Sequence, residues 1–316
     1  MGTPDSAVPS LRRLLNDGQE IVAVWTQPDR PAGRGNKIHQ SPVKEFAVSH
    51  NLPVIQPLKI KTEEAKELFA SHQADAAIVV AYGRILPSTF LNVPALGCLN
   101  VHFSLLPQYR GAAPVNWAIV NGEKETGVTT MRIVEELDAG PILLQRRTEI
   151  SESETAPELM ARLAEVGAEL LSETLKQIQS LEPRPQQDDQ ATFAPILKRA
   201  DGLIDWSLDA YAIARRVRGF QPWPNAFTNF RSYRLIIWEA TPEWIEQLRF
   251  EAGQIIEARG DRLVVAAGGG TALRISELQT EGGRRLKARD FLNGTHINVG
   301  QLLGSDTSSK PKEKDD

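Results

Sequence analysis

The 316-residue chain predicts an α/β protein, with a parallel β-sheet covered by helices and then a small C-terminal β-barrel. Three observations predict it. Up to residue 182, short β-branched apolar runs alternate with stretches of helical periodicity, at the interval that parallel strand–helix–strand units need. Around residues 183–201 the composition turns polar and proline-rich, which marks a linker. Between 202 and 304, five short strand-like runs are split by glycine-rich turns, which suits a small barrel. Residues 305–316 lack apolar side chains and are expected to be a disordered tail.

Composition narrows the class. With 41% hydrophobic and 24% charged residues this is an ordinary globular chain, long enough for two cores. A net charge of −4 gives no general attraction to nucleic acid, so any RNA contact has to come from a local basic surface. The one cysteine, Cys98, excludes an intramolecular disulfide and suits a reducing compartment. The sequence shows no basic-then-apolar leader and no apolar run of about 18 residues, so a cytoplasmic protein without membrane contact is expected; a monomer is the expected state. His39, His50, His72 and His296 lack ligand-like spacing to one another or to Cys98, and no metal is expected.

Taken in order, Met1-Gly2-Thr3-Pro4-Asp5 is turn chemistry, followed by a helix with Val8, Leu11, Leu14 and Leu15 on one side. Residues 20–26 predict a buried strand. Residues 27–37 carry two prolines and two glycines without periodicity and predict a long loop. Between Asp29 and Lys44 four cations (Arg30, Arg34, Lys37, Lys44) face that one acid, which makes a basic patch in an acidic chain. Ser41 and Pro42 open a helix as N-cap and first helical residue. Strands are predicted at 52–56 and 76–81, with a helix at 62–71 between them.

The stretch Cys98 to Trp117 carries the chemistry. It starts as an apolar run and becomes a proline-broken loop at Ser104-Leu105-Leu106-Pro107. Strand residues two apart share a face, so Asn100 and His102 emerge side by side at the end of a strand, where ligands collect in open α/β sheets. An imidazole that titrates near neutrality and an amide that can donate to an oxyanion suit acyl transfer to an amine. On these residues alone a strand histidine is more often structural. Asp138, before Ala139-Gly140-Pro141, reads on its own as a turn residue.

Asn100-Val101-His102-Phe103-Ser104-Leu105-Leu106-Pro107, then Tyr109-Arg110-Gly111-Ala112-Ala113-Pro114 and Leu137-Asp138-Ala139-Gly140, closely resemble the signature of the folate-dependent formyltransferases. The motifs stand in the right order, and the likeness covers nearly the whole chain, closest to the branch that acts on charged tRNA. The resemblance implies a Rossmann-like catalytic domain and a C-terminal OB-like, tRNA-binding barrel. It implies 10-formyltetrahydrofolate as formyl donor and the α-amino group of methionyl-initiator-tRNA as acceptor. Asn100 would stabilise the oxyanion, His102 would move the proton, and Asp138 would orient and charge His102. Tyr82, Gly83, Arg84, Ile85 and Leu86, with Ser104, Leu105, Leu106 and Pro107, would wall the folate pocket. Phe103, where the family often has a smaller residue, bears on that pocket's width. Arg30, Arg34 and Lys37 would meet the acceptor end of the tRNA, Arg34 inserting where base pairing is weakest. In the family an apolar strand precedes the Gly-Thr-Pro-Asp turn, so the first strand is expected to be truncated here and the natural start to lie upstream.

Residues 153–181 predict a long amphipathic helix, with Leu159, Leu163, Val166, Leu170 and Leu171 as core. Thr192 to Leu197 is expected to run back over the first domain. Then come a helix at 208–217, a Pro-Trp-Pro junction at 222–224, and strands at 226–229, 235–238, 253–257, 263–266 and 272–278. The clusters Arg215, Arg216, Arg218 and Arg284, Arg285, Lys287 are phosphate-binding candidates if each shares a face. Two other readings remain, a formyltransferase for a small amine and a non-catalytic RNA-binding relative.

Overall fold

A computed structural model describes residues 1–32, 37–231, 233–245 and 249–304. The chain forms two compact units, one of Met1–Pro114, Glu125–Ile150 and Glu158–Pro195, the other of Val115–Lys124, Ser151–Pro157 and the residues from Ile196 onward.

The first unit opens with helix α1 (Val8–Asn16), strand β1 (Val24–Trp25) and a hairpin of β2 (Arg30–Ala32) and β3 (Lys37–His39). Helix α2 (Pro42–Ser49) follows, and the Ser41 hydroxyl accepts from the Lys44 N–H at 3.1 Å, as an N-cap should. Next come β4 (Val54–Ile55), α3 (Glu63–Ser71), β5 (Ala77–Val79), α4 (Ser88–Leu91), β6 (Cys98–His102) and β7 (Arg110–Gly111), whereas α5 (Pro114–Asn121), next in the chain, belongs from Val115 onward to the second unit. Strands β8 (Glu125–Arg132) and β9 (Ile142–Glu149), helix α6 (Ala156–Gln177) and β10 (Phe193–Ala194) complete this part.

Strands β1 and β4 pair in parallel, as do β5 and β6, with Val79 opposite Asn100. Met1 and Gly2 run between the two pairs. The Gly2 N–H donates to the Trp25 carbonyl and the Val80 N–H to the Met1 carbonyl, each at 2.9 Å. The strand expected over 20–26 is only two residues long, because on that side its ladder continues through Gly2 alone.

The sheet is not parallel throughout: β6, β8 and β9 are antiparallel neighbours. Sequence reading assigns no strand to 125–132 or 142–149, because neither is a continuous apolar run. Thr126, Thr129 and Thr130 are buried instead, and Thr130 meets the Thr174 hydroxyl of α6 at 2.8 Å. Gly167 of α6 lies against Val101, Val128 and Phe103, where a Cβ would stand 2.9 Å from Val101 Cγ1. A second core packs Trp25, Phe69 and Phe90, with Phe69 stacked on Phe90 at 4.4 Å between centroids. Each such aromatic contributes about 1.5–3 kcal/mol through burial. Cys98 is 1% exposed in that core, and burial pushes its thiol up to about 11.

The second unit holds α7 (Ala210–Gly219), β11 (Ala226–Phe230), β12 (Tyr233–Trp244), β13 (Ile255–Arg259), β14 (Arg262–Ala266), β15 (Thr271–Thr280), β16 (Arg285–Lys287) and α8 (Ala288–Gly294). The sheet is antiparallel with order β11-β12-β15-β14-β13, and β16 pairs with β15. Ile213, Val217, Ile237, Val265, Leu273 and Phe291 fill its core. Among the described residues no pairing of β11 with β13 closes it into a barrel. The tail at 305–316 lies outside the described residues.

Candidate active site

Alternation along β6 builds one wall of the site. Leu99 and Val101 are buried, Val101 against α6, while Asn100 and His102 share the opposite face. Phe103 is buried on the Val101 side against Gly167, which takes it away from the face that carries His102.

His102 is 6% exposed, and its Nε2 lies 2.9 Å from the Tyr109 carbonyl. A carbonyl only accepts, so Nε2 carries the hydrogen and the neutral ring keeps its lone pair on Nδ1. Nδ1 faces Asp138 Oδ2 at 3.7 Å, an ion-pair separation rather than a hydrogen bond. The ring is therefore oriented by the Tyr109 carbonyl, and the carboxylate adds negative charge beside the atom that would take a proton.

Asp138 lies in the turn between β8 and β9 with φ +50°, a left-handed conformation that costs a non-glycine residue about 1–2 kcal/mol. Its Oδ2 accepts from the Gly111 N–H at 2.9 Å, and its Oδ1 from the Asn100 amide at 3.5 Å. A charge-assisted bond of the first kind stabilises by about 1.5–3 kcal/mol, enough to offset the turn strain. The three candidate catalytic residues are thus brought together across 38 positions of chain, with Asp138 touching the other two.

The loop after β6 is fixed from within. Ser104 donates its hydroxyl to the Gln108 carbonyl at 2.6 Å, Leu106 donates its N–H to Thr129 Oγ1 at 3.1 Å, and Gln145 donates to the Leu106 carbonyl at 2.9 Å. Leu106 packs with Met131 and Ile142, Pro107 follows a cis bond, and Leu105 lies against Gly127. On the neighbouring strand end, Tyr82 is buried and its carbonyl accepts from Thr3 and Gln27. Arg84 donates to Gln27 Oε1 at 3.1 Å and to the Pro57 carbonyl at 3.0 Å. Leu86 is buried and Ile85 is 67% exposed. The backbone groups of Gly83, Arg84, Ile85 and Leu86 make no hydrogen bond among the described residues, and Gly83 has φ +78°. Their backbone amides and carbonyls stand beside the exposed side chain of Ile85.

The phosphate-binding candidates differ in what holds their side chains. Arg30 is exposed in the hairpin, Lys37 is paired backbone to backbone with Ala32, and Arg34 lies outside the described residues. Lys44 is neutralised by Asp29 at 2.5 Å. On α7, Arg218 donates to the Glu154 carbonyl at 2.6 Å and is held below the usual guanidinium range by burial, and Arg216 lies over Phe220 at 5.8 Å. Arg215 is half-buried. Arg285 pairs with Glu277 and covers Trp238, whereas Arg284 and Lys287 are exposed without an ion pair among the described residues. Among those residues no group of histidine, cysteine and acidic side chains has metal-binding geometry, and no helix is long and apolar enough to cross a membrane.

Sequence reasoning missed the Tyr109 carbonyl, the Gly111 N–H, Arg110 and Gln186. Two of these are backbone groups with no side-chain signal, and Gln186 lies in a polar, proline-rich stretch whose composition says only linker.

Residues 1–175 match a family model described as formyl transferase, and residues 196–296 one described as formyl transferase, C-terminal domain. The methionyl-tRNA formyltransferase of Acetivibrio thermocellus is 45% identical over 306 residues, covering 96% of this chain and 98% of that protein. Its namesake from Solibacter usitatus is 47% identical over 306 residues, covering 96% and 97%. Among solved structures, methionyl-tRNA formyltransferase from Clostridium thermocellum matches with TM-score 0.51 and 21% identity, over 63% of this chain and 86% of that one. An N-formyltransferase from Helicobacter canadensis in complex with folinic acid and dTDP-3-aminofucose matches with TM-score 0.64 and 20% identity, over 87% and 96%. At these identities the structural likenesses show the fold alone.

Proposed function

The chain belongs to the formyl transferase family, and we propose that it transfers a formyl group from 10-formyltetrahydrofolate to the α-amino group of methionyl-initiator-tRNA. One observation carries the choice of acceptor: relatives named methionyl-tRNA formyltransferase are 45–47% identical over 96% of the chain. The sugar formyltransferase shares the fold at 20% identity, which does not choose a substrate. The product serves translation initiation, a cytoplasmic process, and the protein acts as a monomer.

The residues divide the work as follows. Asn100 gives its amide hydrogens to the oxygen of the formyl group as the amine attacks the formyl carbon and a carbon–nitrogen bond forms. His102 takes the amine's proton at Nδ1, and the nearby Asp138 carboxylate stabilises the resulting imidazolium. His102 then returns the proton to N10 of the folate as the old carbon–nitrogen bond breaks, leaving tetrahydrofolate and N-formylmethionyl-tRNA. No net proton is held by the protein at the end. An oxyanion donor is worth about 10²–10³ in rate and a proton-transfer group about 10²–10⁴.

Tyr82 to Leu86 and Ser104 to Pro107 are read as the folate walls, the free backbone of Gly83 to Leu86 supporting that assignment. For RNA we read 1–182 as catalytic, 183–201 as linker and 202–304 as an OB-like tRNA-binding domain. Support comes from β12, whose bulges at Ile237/Glu239 and Glu239/Ala240 bend it as a barrel strand must bend. Arg30, Arg34 and Lys37 would face the acceptor end, and Arg215, Arg216, Arg218, Arg284, Arg285 and Lys287 other phosphates.

The test is a competition for labelled formyl among methionyl-initiator-tRNA, methionyl-elongator-tRNA and a nucleotide-linked amino sugar. Label on the initiator alone is the expected result. Label on the sugar would replace the acceptor with a small amine, and RNA binding without any label would favour the non-catalytic reading.

A further inference from the structure

We propose that Gln186 is a positioning residue for Asp138, and that the segment from Arg184 to Ala194 is a clamp holding both loops of the active site. The proposal rests on the formyl-transfer reading above. Composition marks this stretch as a connector, yet its backbone is paired at both ends within the first unit. Arg184 exchanges two hydrogen bonds of 2.8 Å with Ile142, at the start of β9 and just beyond the Asp138 turn. At the other end β10 lies parallel to β7, the Arg110 N–H donates to the Thr192 carbonyl and the Ala112 N–H to the Ala194 carbonyl, each at 2.9 Å.

Gln186 lies between those anchors and joins the two loops with one side chain. Its amide nitrogen donates to the Asp138 carbonyl at 2.8 Å and to the Gly140 carbonyl at 2.7 Å. Its amide oxygen accepts from Arg110 Nε at 3.0 Å and Nη2 at 2.9 Å. Two donors and both acceptor sites are then in use, the full capacity of a side-chain amide. Arg110 is 3% exposed, and Nη2 is shared with Asp188 at 2.7 Å. The residue after Arg110 is Gly111, whose N–H holds the Asp138 carboxylate.

A closed ring results, running from the Asp138 carbonyl through Gln186, Arg110 and Gly111 to the Asp138 carboxylate. Asp138 has a left-handed backbone that an aspartate leaves unless its surroundings hold it there. Gln186 holds its main chain while Gly111 holds its side chain, and the two grips set the 3.7 Å separation from His102 Nδ1. Arrangements that fix a reacting group this way lose about 10²-fold in rate for a misplacement of about 1 Å.

The experiment uses the full chain and measures kcat, KM and thermal midpoint for Gln186→Met, Asp138→Asn and the double variant, alongside the unsubstituted protein. Gln186→Met keeps the volume and removes every hydrogen bond. The expected result is a kcat about 10- to 100-fold lower, with KM for both substrates within about threefold. In the Asp138→Asn background the same change lowers kcat by less than about twofold, because a residue acting through Asp138 has nothing left to position. A merely structural role gives losses that multiply. Gln186→Glu is the second variant in case Gln186→Met does not fold. It keeps the bond to Arg110 and turns a carboxylate oxygen towards the Asp138 and Gly140 carbonyls in place of the two donors, so kcat falls at least about tenfold in a protein still folded by circular dichroism. Unchanged kcat in the Gln186 variants of an active parent, or fully multiplicative losses, would overturn the proposal. A folded parent inactive towards every acceptor would instead overturn the formyl-transfer reading beneath it.

Discussion

In the first unit the groups offered for chemistry are already spoken for by the fold. His102 is 6% exposed and bonded to a carbonyl, and Asp138 is gripped by a backbone N–H from the opposite loop. In the second unit the side chains offered to RNA fall into two kinds. Arg218 and Arg285 are used internally, against the Glu154 carbonyl and Glu277, while Arg284 and Lys287 stand in solvent. The difference matches the roles proposed for the two surfaces. A proton-transfer site gains from groups fixed before the substrate arrives, since reorganisation at the moment of reaction costs rate. A phosphate-binding surface gains from cations free to reach phosphate oxygens and displace the counterions condensed on the nucleic acid.

Substitutions sharpen that contrast. Short of His102 itself, the largest expected effect is at Asn100. Asn100→Ala lowers kcat by about 10²–10³ with little change in KM for tRNA, measured by single-turnover formyl transfer. A fall confined to KM would break the comparison, because it would make the amide a binding group. A smaller effect is expected from Arg284→Ala combined with Lys287→Ala. That pair weakens tRNA binding, leaves the single-turnover rate at saturation unchanged, and flattens the plot of log affinity against log salt by about 0.7–0.9 per lost phosphate contact. An unchanged salt slope would remove these two cations from the RNA surface.

The smallest effect concerns Cys98, which lies in the β6 strand but in the core beneath it. With its thiol pushed up to about 11 it stays protonated and unreactive to alkylation at pH 8 in the folded protein. The same shift has a sign for stability. The folded state holds the thiol proton to higher pH than the unfolded chain does, so stability is unaffected below about 9 and falls as pH rises from there towards 11. Mass spectrometry after iodoacetamide at pH 8 checks the first point, and rapid labelling of the native protein would contradict it.

Part of this was legible in the sequence because it rests on local periodicity. Alternation alone puts Asn100 and His102 on one face of β6, and the Ser41-Pro42 cap needs no knowledge of what packs above it. The helix at α6 follows from its leucine spacing. The rest depends on partners far along the chain. The approach of Asp138 is set by the β8–β9 turn, and β8 hides its burial behind threonines, one of which meets the Thr174 hydroxyl in the interior. The orientation of His102 is set by a main-chain carbonyl, and every residue has one, so no residue type marks it. The basic loop was legible as charge, yet Lys44 turns out to be paired with Asp29, and Arg34 lies outside the described residues. All five expected C-terminal strands are present, β13 shifted by two residues, and β12 and β15 much longer than their apolar runs because they continue as a paired ribbon through polar residues.

His102 is the group proposed to move the proton, and single-turnover formyl transfer to methionyl-initiator-tRNA by His102→Ala tests that role most directly. A rate about 10²–10⁴ lower than the parent's, with 10-formyltetrahydrofolate and tRNA still binding, is the predicted result. A variant that transfers formyl at the parent's rate would contradict it.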